Sequence, residues 1–398
     1  MRTALVTLRL VAAGGLLAGL LLARPLAAQP PPARDARARD TARTPADTAW
    51  RGRFYGRRPY GSERQFNPLS QLVNEGFNNL VLYNDDLGLT RQPWTTAWRN
   101  LSSSLGNILP AYRRAGWSRV IRNELLPLTG REGGQWVPNY QDHLLGSGMV
   151  SVRMMEWFAA HGFAHPAWWS YGAMTASHVL NELVEQPNPR SVDAISDLVI
   201  FDNLGFLLFR NARVQRAFSE RVAFTSWAWQ PVLTGPGGAV ENAGQSFVLR
   251  FPLRRHADGA GADRHVRGFY LWGVTHVLGL SHPLAGGRAL SWGVGAGAKR
   301  VTVADTVRDF RTITIGPRAG LFLDREGSLL ASLVWEDNDQ AIATLNVFPG
   351  VLRVAGHSLG LWASLQRGTR VRVGITAPWG LGLGVGQPRP LGPRLPDG

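Results

Sequence analysis

His178, Glu182 and Glu185 stand at i, i+4 and i+7, so a single helical face presents an imidazole and two carboxylates. His and Glu one turn apart can chelate a divalent cation, and His143 or Asp197, from neighbouring helices, could complete the shell. The spacing is not that of a His-Glu-x-x-His helix, which removes the metalloprotease reading. His143, His178, Glu182 and Asp197 are also the types needed for general acid and base work. A simpler use of the same residues is a polar seam, with Glu182 bonded to His143 or to the start of the next helix. The seam is the expectation carried forward, and the sequence assigns no enzymatic activity and no cofactor. Asp193 and Asp197 are a second i, i+4 pair; Asp193 in a first turn suits the helix dipole, and Asp197 is the better partner for His143 or His178.

A second group lies further along. His276 shares the alternation of Leu278 and Leu280, and Ser281, His282, His357 and Ser358 are nearby in sequence. Outer-membrane lipases place His and Ser on adjacent strands in this way, but there is no Gly-x-Ser-x-Gly elbow and no clear third triad member. The glycines Gly380, Gly382, Gly384 and Gly386 lack the Lys and the strand-to-helix setting of a phosphate loop, and read as a strand with small inward residues.

Three helices must position the first group. His143 to about His161 carries Leu144, Leu145, Met149, Val150, Met154, Trp157 and Phe158, and stops at Gly162. Pro166 opens the second, which runs to Pro187. Ser191 is placed to cap the third, whose residues Leu198 to Phe209 are apolar on nearly every side, as in a helix buried in a core. Asp197, Asp202 and Asn203 interrupt it too often for a transmembrane span.

The pattern His143, Glu182 with Glu185, Asn188-Pro189-Arg190-Ser191, Asp197 and Asn203-Leu204-Gly205 resembles an uncharacterised family of bacterial envelope proteins, itself distantly similar to VanZ-like proteins. The resemblance covers the central helical stretch. It implies an envelope location and a helical bundle, and no reaction.

Residues 1–28 read as a secretory signal: Arg2 and Arg9, an apolar run from Leu10 to Ala23, and small residues at Ala27 and Ala28. Residues 29–64 are rich in Pro, Arg, Asp and Thr and read as a disordered linker. A helical domain is expected over 65–215, and a flexible tail over 389–398. From 220 to 388 the apolar period changes from 3.6 to 2, across nine candidate strands. In Ser358 to Gln366, Leu359, Leu361, Ala363 and Leu365 alternate with small or polar residues, as in an outer-membrane strand. The expected fold is therefore α+β: an N-terminal helical bundle, then a C-terminal antiparallel β-barrel of about 8–10 strands. A soluble sheet alternates in the same way and is the competing architecture.

Absence of Cys excludes disulfides, thiolate metal sites and a cysteine nucleophile. The net charge of +15 is carried almost wholly by scattered Arg, with Lys299 the one lysine, so nucleic acid is not an expected partner. Outer-membrane lipid is, and other envelope proteins are possible partners. The expected role is structural or transport-type in the outer membrane. Two alternatives stay open: an outer-membrane hydrolase acting on lipid or lipopolysaccharide, and a soluble periplasmic binding module.

Overall fold

A computed structural model describes residues 52–78, 89–90, 92–126, 136–185, 192–235, 238–253, 265–305, 310–337, 341–353, 356–366 and 370–386. The expected signal segment, most of the linker, the Asn188-to-Ser191 motif and the tail lie outside them. The fold is α+β, helices first and then a large, mostly antiparallel sheet.

The linker ends earlier than its composition implies. Residues 52–64 are packed, with Phe54 and Tyr55 buried. Glu156 accepts backbone N–H bonds from Arg53 (2.7 Å), Phe54 (2.8 Å) and Tyr55 (2.8 Å), so one carboxylate satisfies three donors that the loop could not pair internally. The strap leads into α1 (Gly61–Gln65) and α2 (Pro68–Gly76), where Asn67 caps α2 by accepting from Ser70 N–H at 2.9 Å. Helices α3 (Trp94–Gly106) and α4 (Ile108–Ala115) follow, and Ala111, Tyr112 and Val120 pack with Ile195 in one apolar cluster.

The three central helices form, with altered geometry. The first is a π-helix over Asn139–Ser147 that continues into α5 (Gly148–Ala160). The second is α6 (Pro166–Glu185), with Pro166 at its first position as expected. The third starts at Asp193, passes through a π-helical stretch at Ser196–Phe201 and becomes α7 (Asp202–Phe209). Among the described residues, no helix is long and apolar enough to cross a membrane.

The strands are β1 (Thr225–Ala228), β2 (Val232–Thr234), β3 (Ala239–Glu241), β4 (Gln245–Pro252), β5 (Arg267–Trp272), β6 (Thr275–Leu284), β7 (Arg288–Asp305), β8 (Phe310–Arg325), β9 (Ser328–Glu336), β10 (Ala343–Val347), β11 (Gly360–Gln366), β12 (Arg370–Thr376) and β13 (Gly382–Gly386). Their order is β1-β4-β5-β6-β7-β8-β9-β10-β11-β12-β13-β2-β3, thirteen strands among the described residues rather than eight to ten. This order leaves β1 and β3 as end strands, so the sheet is not closed by strand order. All pairings are antiparallel except β13 with β2. Two expected strands prove to be hairpins: Gly273 (φ 151°) turns β5 into β6, and Gly380 (φ 93°) lies in the turn from β12 to β13.

Helices and sheet do not separate into two bodies at 215–220; Gly52–Gly398 is one unit. The π-helix rests on β4, where a Cβ at Gly146 would sit 2.4 Å from the Phe247 ring. Leu180 and Val184 of α6 pack with Phe77, Leu233 and Val240, covering β2 and β3. A second core, Trp227, Val248, Phe269, Leu271, Val277, Phe322 and Phe348, lies on the opposite face of the strands.

Candidate functional site

The site is built where the π-helix, α6 and α7 meet. Asp202, the first residue of α7, offers one carboxylate oxygen to each of two imidazoles. His143 Nδ1 lies 2.9 Å from Oδ1, and His178 Nδ1 is hydrogen-bonded to Oδ2. The rings stand edge to face with centroids 5.4 Å apart. The far nitrogen of each ring also meets a carboxylate. His143 Nε2 is 3.4 Å from Asp197 Oδ2, and His178 Nε2 is 3.7 Å from Glu75 Oε1. Ser147 Oγ is closer to His178 Nε2, at 3.1 Å. His178 is 2 % exposed and Asp197 6 %, so these interactions work in a medium much less polarisable than water.

The charges follow from the geometry. Burial alone would raise the Asp202 carboxyl, but His178 and His143, through charge and hydrogen bonds, outweigh it and bring it down to about 2. Burial works against charge on the His143 ring, and Asp197 with Asp202 overcomes it, holding that ring well above the ordinary imidazole value.

Backbone approach makes the arrangement reachable. Gly148 of α5 and Gly205 of α7 face each other where these helices cross. A Cβ on Gly205 would lie 2.6 Å from Leu144 O and 2.9 Å from His143 O, and one on Gly148 would lie 2.8 Å from Gly205 O. The glycine of Asn203-Leu204-Gly205 is there so that Asp202 can come within bonding distance of His143. Asn203 holds the same turn: its Nδ2 donates to Leu198 O at 2.9 Å and to Val199 O at 3.1 Å, and Tyr171 Oη donates to its Oδ1 at 3.0 Å. Gly205→Ala should therefore destabilise the protein by about 1–3 kcal/mol, read as a lower thermal midpoint. Gly172→Ala in α6, where a Cβ meets nothing within 4 Å, should instead stabilise by about 0.5–1 kcal/mol. Equal midpoints for the two variants would remove the close-crossing argument.

Of the residues singled out from sequence, His143, His178 and Asp197 are brought together, and Asp197 does partner His143. Glu182 is buried on α6 but stands outside the group His143, His178 and Asp202, the one such cluster among the described residues that could hold a metal ion. Glu182, a candidate ligand one turn from His178, is thus not among the residues that converge with His143 and Asp202. His276 is not part of the site. It lies on β6 with its Nδ1 2.8 Å from Tyr270 Oη. Asp202, Ser147 and Glu75 were missed. Asp202 had the clearest signal, an acid inside a helix apolar on nearly every side, flanked by Asn203 and Gly205.

The geometry permits three things: a purely structural seam, a relay from Ser147 through His178 to Asp202, and a cation held between the two imidazoles and Asp202. Comparison with protein-family models, curated proteins and solved structures finds no match to this chain.

Proposed function

We propose that this is an outer-membrane envelope protein in which the sheet wraps into a barrel in lipid and carries the helical part as a scaffold. The observation that carries this reading is the apolar face that the strands leave exposed, opposite a buried face that holds many of their polar residues. Ser281, Ser291, Ser332, Asn346, Ser364 and Arg372 are buried, whereas Leu278, Val294, Leu333, Leu345, Val373 and Ile375 are exposed. In β12 the two kinds alternate strictly, with Val371, Val373 and Ile375 exposed and Arg372, Gly374 and Thr376 buried. The buried face also carries the apolar core residues Phe269, Leu271, Val277, Phe322 and Val334, but a sheet in water does not leave its other face apolar and exposed as well, whereas a strand in hydrocarbon does.

The helices account for the exception. Phe247 and Trp272 carry the same outward sidedness on β4 and β5, yet both are buried, because the π-helix lies against them: Gly146 abuts Phe247, and Trp272 Nε1 donates to Gln141 O at 3.2 Å. The exposed apolar face starts at β6, where the helical cover ends, and continues to β13. Exposed Trp292, Trp335 and Trp379 suit membrane interfaces.

Registers support wrapping. Thr225↔Val248 through Ala228↔Gln245 and Val232↔Glu241 through Thr234↔Ala239 follow one hairpin register, and Trp229 N–H donates to Gly244 O at 3.0 Å between them. The first arm of that hairpin would then have β13 on its other side, and the second arm has β5. Inward polar groups bond to each other: Arg250 with Asp324, Arg372 with Glu241, and Gln230 Nε2 donating to Leu361 O at 3.1 Å. A filled interior favours a structural role over conduction. The resemblance to envelope proteins points to the same compartment.

Membrane fractionation tests the reading. The protein should appear with outer membranes and change gel mobility on heating, as a closed barrel does; full recovery in the soluble periplasmic fraction without a heat shift would sink it.

A further inference from the structure

We infer that His143, His178 and Asp202 bind a divalent transition-metal ion of the zinc class, with Asp197 and Glu75 as the outer carboxylates that orient the two imidazoles. The inference concerns the helical site and does not depend on the sheet lying in a membrane.

Convergence is the first support. One ligand atom from each of the three residues can be chosen so that all lie within 4.8 Å of one another, so that side-chain shifts of about an ångström would gather them around a single ion with bonds of about 2.0–2.2 Å. Both imidazoles direct the same nitrogen, Nδ1, at the same carboxylate. Hydrogen bonds from the two rings to Asp202 now do what a cation would do there, drawing two imidazole nitrogens and a carboxylate together.

The outer groups are the second. A metal-binding imidazole is held by its other nitrogen, most often against a carboxylate. Here both rings have a carboxylate near that nitrogen: His143 Nε2 lies 3.4 Å from Asp197 Oδ2, and His178 Nε2 lies 3.7 Å from Glu75 Oε1 and is hydrogen-bonded to Ser147 Oγ at 3.1 Å. Glu75 is itself fixed, since Gln71 Nε2 donates to its Oε2 at 3.3 Å. A seam that only joined helices would need one bond per imidazole, not a partner at both ends of both rings.

An unsatisfied group is the third. Asp197 Oδ1 is buried with no hydrogen-bond partner, an expensive state for a carboxylate oxygen that lies beside the cluster. Both the π-helix that carries His143 and the π-helical stretch that carries Asp197 widen the turn locally, and such insertions recur at functional sites in helices. The donor set is two nitrogens and one oxygen, without thiolates, which suits zinc and its neighbours better than calcium or magnesium. Three protein ligands leave a fourth position for water or a substrate oxygen, the pattern of catalytic rather than structural zinc. The competing relay from Ser147 through His178 is weaker: Gly148 N–H, the donor next to the serine, is already given to Leu145 O, so it is not free to stabilise an oxyanion.

The test uses the full chain, purified in detergent, stripped with chelator and reloaded with Zn²⁺ or Co²⁺ alone. About one equivalent of Zn²⁺ per chain should survive dialysis, and Co²⁺ should give the intense visible absorption of a four-coordinate site. Both signals should vanish in His143→Ala and His178→Ala. Asp197→Asn should bind about 10–100-fold more weakly, as expected of an outer carboxylate, while Glu182→Gln should bind as the parent does. Should the alanine variants not fold, Asp202→Asn keeps the side chain's shape and one of its two acceptor oxygens and should still abolish binding. Failure of the parent to retain either ion, or retention of full affinity in Asp202→Asn, overturns the inference.

Discussion

Replacing Arg153 with Met should destabilise the protein by about 3–5 kcal/mol, more than the Gly205→Ala change at the helix crossing. Arg153 is 2 % exposed and stands on the apolar face of α5. One end of its guanidinium donates to Glu63 Oε2 at 2.6 Å; the other donates to Ser226 O at 2.9 Å and Ser226 Oγ at 2.6 Å. The same group lies 4.0 Å above the centre of the Phe66 ring. One side chain thus ties the strap and α1 to α5 and to β1. Its loss leaves the Glu63 carboxylate buried with a single N–H partner shown, from Gly56 at 2.6 Å. The pair itself does not supply that much net stability, because burying two charges cost nearly as much as their attraction returned. Most of the loss is the stranded carboxylate. Arg153→Met combined with Glu63→Gln should therefore recover much of it, and denaturant titration of the two single variants and the double measures the coupling. A cost under about 1 kcal/mol for Arg153→Met alone would refute the linchpin role.

Arg153 also shows what a sequence conceals. On the helical period it falls between Val150 and Met154, and its partners Glu63 and Ser226 are 90 and 73 residues away. Local period finds the elements, because burial of one face is imposed residue by residue. The central helices and β4, β7, β8, β9 and β11 were legible for that reason. Hairpins with very short turns were not: between β5 and β6 only Gly273 and Val274 intervene, so alternation continues through the turn and two strands read as one. β3, three residues long, is too short to give a period at all. The strap was misread because composition reports what a segment can bury by itself, and residues 52–64 are held by Glu156, on another element.

The site divides along the same line. His178, Glu182 and Glu185 were visible as a face because helical geometry is local. Which of them matters was decided by Asp202, 59 residues from His143 and 24 from His178, and by the Gly148–Gly205 contact that lets their helices approach. Pairing across helices leaves no spacing rule in the chain. It leaves an acid where a buried helix should have none, and small residues where two backbones must touch.

On the barrel proposed above, Val373→Arg should cost up to about 2–4 kcal/mol when unfolding is measured in lipid vesicles, because a guanidinium would replace an apolar side chain that such a barrel turns toward lipid. Val373 is 44 % exposed on β12. In a sheet surrounded by water the same change at an exposed position is worth within about 0.5 kcal/mol. The magnitude therefore separates the two media as well as testing the residue. Phe247→Arg gives the necessary contrast. Phe247 shares the outward sidedness but lies 1 % exposed beneath Gly146 and beside Trp272, so an Arg there must fail in either medium. If Val373→Arg is silent in vesicles while Phe247→Arg is severe, the exposed face of β6 to β13 meets water and the barrel reading fails. If both are severe, lipid covers on β12 what the helices cover on β4, and the boundary between the two covers falls at β6, where the exposed leucines begin.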